Sequence, residues 1–277
     1  MLEVRAVDAE TAAAALSGLA TSLGALPFLF IRDLPRRAHD GILGLGAGLM
    51  LAAATLGLLA EAVHGVRGAD GGLDAARLLM VVVGFGLGVG VAAAMDRFIP
   101  HQYAGGHHQH LGHEPGHDSH DRDPVVDPRA ARRAYAVVGA LSLHRVPEGL
   151  AIGAGFAVPG AAHLGVLLAV AVGVQNACEG MVMSAPLRAG GISRGRGFMI
   201  VALTGLTTPV AAVIGRALAA TAAASMPFVL ALAGGTLIYV TSNEIIPESH
   251  SHGFEGTAST GLVLGFLLTM VLEAVLH

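Results

Sequence analysis

The sequence predicts an all-α, polytopic membrane protein of eight transmembrane helices, and three observations predict it. Of 277 residues, 53% are hydrophobic and only 13% are charged, about half the charge of a typical soluble domain. Mean hydropathy is +0.66. Apolar segments of roughly 17–25 residues, the length that crosses the hydrocarbon of a bilayer, recur along almost the whole chain.

The expected spans lie near 11–31, 41–63, 77–96, 133–157, 162–186, 197–219, 226–247 and 258–276. Before span 1, MLEVRAVDAE is mixed in charge with acids in excess, unlike the basic start of a signal peptide, so the first apolar segment is expected to stay as a helix. Span 2 is a Gly, Ala and Leu run carrying Thr55 in its middle and Glu61 and His64 near its end. In span 3, Gly84-Phe85-Gly86-Leu87-Gly88-Val89-Gly90 superficially suggests a nucleotide loop. It has no strand before it, so close helix packing is the better reading. Spans 4, 5 and 7 carry the polar residues discussed below. Most connections are short and rich in Gly, Pro, Asp or Arg, which suits turns between antiparallel helices. The whole chain, 1–277, therefore reads as a single transmembrane domain.

Arginine placement sets the expected orientation, since the chain has no lysine. Eleven arginines fall on one side: Arg32, Arg36, Arg37, Arg97, Arg122, Arg129, Arg132, Arg133, Arg188, Arg194 and Arg196. Only Arg5, Arg67, Arg77 and Arg216 fall on the other, and Arg145 lies within span 4. The positive-inside rule then puts the 1–2, 3–4, 5–6 and 7–8 connections in the cytoplasm and both termini outside. A net charge of −4 offers no polybasic surface, which argues against a nucleic-acid partner; the lipid bilayer is the expected one. A single cysteine, Cys178, excludes an intramolecular disulfide or a zinc site built from several thiolates.

The one long connection, about 97–132, holds seven of the 14 histidines: His101, His107, His108, His110, His113, His117 and His120. Its Gly, Pro, His and Asp content builds no packed core, so it is expected to be flexible. The bland reading is a solvated linker; the imidazole density favours weak capture of a divalent metal.

An ionisable side chain within the hydrocarbon costs roughly 2.5–3.5 kcal/mol on insertion scales, so each one needs a reason. Span 4 reads LSLHRVPEGLAIG and span 5 reads VGVQNACEGMVMSAP. Residues i and i+4 share a helix face, which sets His144 beside Glu148 and Gln175 beside Glu179. Turned together, the two faces offer an imidazole, two carboxylates and an amide oxygen, a reasonable shell for zinc or a similar divalent ion. Pro147 removes one backbone hydrogen bond near this level, and Gly149 and Gly180 are expected to let the two helices approach. The bland alternative is an interhelical hydrogen-bond network, made less favourable by two carboxylates in lipid.

His144–Arg145–Val146–Pro147–Glu148–Gly149 resembles the HNxPEG signature in helix 4 of the ZIP family, the Zrt- and Irt-like zinc and iron transporters. Gln175–Asn176–Ala177–Cys178–Glu179–Gly180 resembles the helix 5 motif of a bacterial branch of that family. Asn243–Glu244–Ile245–Ile246–Pro247–Glu248–Ser249–His250 is similar to its HEIIPE segment ending helix 7. The resemblance implies uptake of Zn²⁺ as substrate toward the cytoplasm, with Cd²⁺, Fe²⁺ and Mn²⁺ as further candidates. It also implies helices 1, 4, 5 and 6 moving against a scaffold of helices 2, 3, 7 and 8, often in a homodimer.

The chain departs from that pattern. Family members with a two-metal centre have Asn where this chain has Arg145, and commonly an acid where it has Asn176. They also draw a carboxylate from helix 6, where this chain has Thr207 or Thr208 at that level. A guanidinium is permanently charged and cannot ligate a cation. Arg145 is therefore expected to replace the second metal and pair with Glu148 or Glu179; the counter-reading is that it snorkels or anchors a neighbouring helix.

Weaker signals remain. Asn243, Glu244, Glu248, His250 and His252 form a candidate exit path at the end of span 7, or simply a helix end reaching water. Glu61 and His64 form a candidate entrance relay or a solvated pair. Thr55 either adds an oxygen to the site or bonds back to its own helix. Cys178 either tunes a soft metal or is a small buried hydrophobe. The competing functions are a metal exporter and an intramembrane metal-dependent hydrolase. Exporters of the cation-diffusion type rely on intramembrane Asp, and HExxH is absent here, so no catalytic residues and no enzymatic activity are expected.

Overall fold

The computed structural model describes residues 2–30, 35–67, 72–98, 128–158, 162–221 and 226–276. The histidine-rich stretch containing His101, His107, His108, His110, His113, His117 and His120 lies outside them. Eight helical spans follow in the expected order. They are α1 (Leu2–Ala25, extended by Pro27–Phe30), α2 (Arg36–His64), α3 (Ala75–Phe98), α4 (Pro128–Ala157), α5 (Ala162–Ala189), α6 (Arg194–Thr204 and Thr207–Thr221), α7 (Met226–Ser249) and α8 (Glu255–Leu276). Among the described residues no strand forms; Arg67 and Leu73 make one isolated bridge between α2 and α3.

Seven spans are individually long and apolar enough to cross a membrane. The eighth, α4, is 30 residues long but carries His144, Arg145 and Glu148, all buried. Its neighbours rather than lipid accept those groups. Leu79, Val82, Leu203, Val210, Val213, Val263, Leu264 and Val271 are exposed on α3, α6 and α8. Such continuous apolar faces match acyl chains, not water.

Three departures from unbroken α-helix shape the interior. α6 is interrupted at Gly205–Leu206, because Pro209 has no N–H to give the Gly205 carbonyl one turn back. The spans 2 and 7 were expected as plain helices, yet each contains a wider π-helical stretch, Ala53–Leu59 in α2 and Thr241–Ile245 in α7. In α7, Pro247 withholds the N–H that would bond the Asn243 carbonyl, which favours the wider turn at that point. In α4, Pro147 is carried inside a continuous helix.

Helices sort into two groups by packing. α1 lies along α5, and α4 lies along both α5 and α6; α2 lies along α8, and α3 along α7. Contacts of α2 with α5 and of α4 with α7 join the groups. This is the partition of 1, 4, 5 and 6 from 2, 3, 7 and 8 that the resemblance implies. The apolar windows of α2 and α5 are 67% buried, whereas those of α3 and α8 are 22% and 11% buried, so the seam between the groups runs through the middle of the bundle.

Close backbone approach relies on glycine, though not where expected. A Cβ on Gly149 would sit 2.4 Å from the Thr208 carbonyl oxygen, and one on Gly180 would sit 2.1 Å from that of Thr21. Gly149 therefore brings α4 against α6 and Gly180 brings α5 against α1, instead of joining α4 to α5. In the Gly-rich run of α3, Gly84 and Gly88 face α7 backbone while Gly86 and Gly90 meet nothing. That run is a helix-packing surface.

Candidate metal centre

The i, i+4 spacing places Gln175 and Glu179 on one face of α5, and the α4–α5 contact turns that face toward Glu148. The Gln175 amide nitrogen donates to Glu148 Oε1 at 2.8 Å and to Glu179 Oε1 at 2.9 Å. All three side chains are almost fully buried. Two carboxylates from separate helices thus share one donor atom.

Arg145 enters the same seam from α4 and is completely buried, so it does not snorkel to an interface. Its guanidinium donates to Glu179 Oε2 at 3.2 Å, to the Thr21 hydroxyl of α1 and, at 3.8 Å, to Met183 Sδ. A guanidinium fixed by three partners supplies positive charge without being able to ligate a metal.

His144 takes a different partner from the one the helix spacing suggested. Its Nε2 lies 3.1 Å from Glu244 of α7, so the imidazole spans the seam between the two helix groups. Although Glu148 shares its face on α4, the π-helical stretch of α7 carries Glu244 toward that face, and an imidazole–carboxylate contact across the seam results. His144 is 5% exposed and Glu244 26% exposed at the side chain, so Glu244 is the less enclosed member.

Asn176 ties the site to its surroundings. Its amide nitrogen donates to the Ser17 carbonyl at 3.1 Å, the Ser17 hydroxyl at 3.4 Å and the Thr208 hydroxyl at 3.4 Å. Thr208 thus reaches the level of the site through Asn176, while Thr207 does not figure in it. Thr55 donates to Leu51 O of its own helix at 2.7 Å and adds no oxygen to the seam. Cys178 is half-buried beside Glu179.

Buried acceptors remain within this network. Glu148 Oε2, Gln175 Oε1 and Asn176 Oδ1 have no hydrogen-bond partner, although buried polar atoms are nearly always paired. A hard or borderline cation suits such an oxygen-rich set with one imidazole nearby.

The candidate exit residues do not converge. Asn243 is exposed and Glu244 turns to His144. His250 engages Ile246 O at 2.9 Å and the Ser259 hydroxyl at 3.0 Å. Glu248 is half-buried, and His252 reaches Asp40 of α2. At the other end of the bundle, Glu61 borders a cavity of about 210 Å³ with Arg77, Val158, Met226, Pro227 and Leu230, while His64 is exposed.

Ser17, Thr21 and the partly buried Glu10–Arg216 ion pair between α1 and α6 were not singled out from sequence. The i, i+4 spacing of Ser17 and Thr21 in the more apolar second half of α1 was the available signal for the first two.

An apolar helical bundle with two carboxylates, a guanidinium and amides sealed between its helices defines a multi-pass membrane protein with a buried ionic site. The chain belongs to the ZIP family: it matches the family model described as ZIP Zinc transporter over residues 100–273. It is 38% identical to the zinc transporter GufA of Myxococcus xanthus, covering 94% of this chain and 96% of that one. It is 36% identical to the zinc transporter ZIPB of Bordetella bronchiseptica, over 93% of this chain and 78% of the relative. The human zinc transporter ZIP11 is 30% identical over 92% of this chain and 93% of its own length. These relatives are transporters by name, and none of them lends support to the exporter or hydrolase readings.

Proposed function

We propose that this protein carries Zn²⁺ across a bacterial inner membrane toward the cytoplasm, with Glu148 and Glu179 holding the ion between α4 and α5. The observation that carries the reading is the Gln175 amide bridging both carboxylates, which places two acidic groups from separate helices around one point in an apolar bundle. The doubly positive ion offsets charge that lipid would otherwise reject.

The ion is substrate, and its passage makes and breaks no covalent bond. Gln175 presents its NH₂ group to the carboxylates; a half-turn of the amide brings the unpartnered Oε1 inward as a ligand. His144 completes the set when its Nε2 exchanges Glu244 for the ion. Because Glu244 belongs to the other helix group, this exchange couples ion binding to movement of α1, α4, α5 and α6 against α2, α3, α7 and α8. Arg145 occupies the place of a second ion, leaving one transport site. The nitrogen and oxygen donors also accept Cd²⁺, Fe²⁺ and Mn²⁺ with different affinity. The termini face outward, the histidine-rich segment gathers metal in the cytoplasm, and two copies associate as a homodimer.

Purified protein in liposomes containing a zinc-responsive dye tests this. Saturable influx is expected from the natural sequence and none from Glu148→Ala or Glu179→Ala at equal reconstitution. Undiminished influx through either variant would overturn the ligand assignment.

A further inference from the structure

Outside the central seam, His39 and Asp40 in the first turns of α2 meet His252 in the turn between α7 and α8. His252 Nδ1 lies 2.8 Å from Asp40 Oδ1, and His39 Nδ1 lies 3.4 Å from the same oxygen. The imidazole rings stand edge to face with centroids 5.0 Å apart. One ligand atom from each of the three residues lies within 4.8 Å of the others. Asp40 is fully buried, and its second oxygen, Oδ2, has no partner. A buried carboxylate oxygen without a donor costs about 1–3 kcal/mol or more, so two imidazoles on Oδ1 leave this group incompletely compensated.

We propose that His39, Asp40 and His252 form a second divalent-cation site, distinct from the one at Glu148 and Glu179, that takes Zn²⁺ or a similar borderline ion. Two imidazole nitrogens and a carboxylate oxygen are three of the four ligands of tetrahedral zinc, and water supplies the fourth. Bonds of about 2.0–2.2 Å put neighbouring ligand atoms roughly 3.4 Å apart in a tetrahedron. The present separations, 2.8 Å, 3.4 Å and none above 4.8 Å, bracket that edge, so binding lengthens the shortest and shortens the widest by side-chain rotation. Asp40 Oδ2 gives the metal a carboxylate position that no protein donor occupies.

The chain reaches this geometry through a tight reversal after α7. Gly253 has φ 88°, a left-handed conformation that glycine adopts without steric cost, and it directs the chain back so that His252 faces the start of α2. All three ligands belong to the α2, α3, α7, α8 group. A cation here clamps the end of α7 to the start of α2, on the same side of the bundle as the histidine-rich connection.

Full-length protein in detergent tests the site by equilibrium dialysis against Zn²⁺ alone. Asp40→Asn and His252→Ala are each expected to bind one zinc fewer per chain, also in a Glu148→Ala/Glu179→Ala background. In a second measurement, His252→Cys loaded with Co²⁺ is expected to gain a thiolate-to-cobalt charge-transfer absorption lacking in the natural sequence. That absorption is expected to vanish in Asp40→Ala/His252→Cys. Unchanged stoichiometry in Asp40→Asn, or no new absorption in His252→Cys with Asp40 intact, overturns the proposal and leaves the transport site unaffected.

Discussion

Replacing Arg145 by Asn is the sharpest perturbation of the central seam. The guanidinium lies 3.2 Å from Glu179 Oε2 with no exposed surface. At an effective dielectric of about 20, a unit charge pair at that distance attracts by about 5 kcal/mol. Desolvation offsets part of this, and removing one partner of a buried pair costs about 3–5 kcal/mol. Asn has a neutral amide of smaller reach, so Glu179 loses its countercharge while Glu148 stays beside it across Gln175. Two consequences are expected. In chelator, Arg145→Asn lowers the midpoint of thermal unfolding in detergent relative to the natural sequence. In excess zinc, the variant binds one more ion per chain, because the second ion takes over the compensation, and the added ion restores much of the lost stability. A zinc titration of the unfolding midpoint, begun in chelator, reads the stability, and equilibrium dialysis with elemental analysis reads the bound ions. If the bound zinc per chain does not change, Arg145 was not standing in for a second ion.

Three further outcomes are expected. Glu244→Gln and His144→Ala each slow zinc influx, and the double variant loses less than the product of the two, since both remove one contact across the seam. Influx through the double variant equal to that product would mean that the two residues act independently. Thr55→Val leaves influx and its zinc dependence unchanged, because the hydroxyl bonds to Leu51 O; a changed dependence would return Thr55 to the site. Gly180→Leu prevents recovery of folded protein by gel filtration, since its Cβ would meet Thr21 O at 2.1 Å, whereas Gly90→Leu, with nothing within 4 Å, is tolerated. Equal recovery of both variants would refute the packing assigned to the α1–α5 contact.

The spans were legible because crossing a bilayer demands long apolar runs, and each predicted span overlaps a helix in the structure. The carboxylates were legible for the opposite reason: Glu148 and Glu179 stand out where lipid tolerates few charges. Spacing along one helix could not reveal the partner of His144, because Glu244 is 100 positions away and its aim depends on a π-helical turn. That turn arises from Pro247 and packing together. Ser17 and Thr21 were hidden because a hydroxyl in an apolar helix usually bonds back to its own backbone, as Thr55 and Ser184 do, and sequence alone does not separate the cases. Gly149 and Gly180 announced close approach but not which helix would come near. The same pattern LTTP that offered Thr208 also carried the helix break at Gly205, since Pro209 both interrupts α6 and sets the hydroxyl toward Asn176.

Anomalous diffraction at the zinc absorption edge, from crystals of the full chain grown with Zn²⁺, tests the shared-ion seam most directly. A peak is expected about 2.0–2.2 Å from carboxylate oxygens of both Glu148 and Glu179, with Gln175 Oε1 turned toward it. Zinc-saturated crystals with no peak between those two side chains, and with the Gln175 NH₂ still joining them, would contradict it.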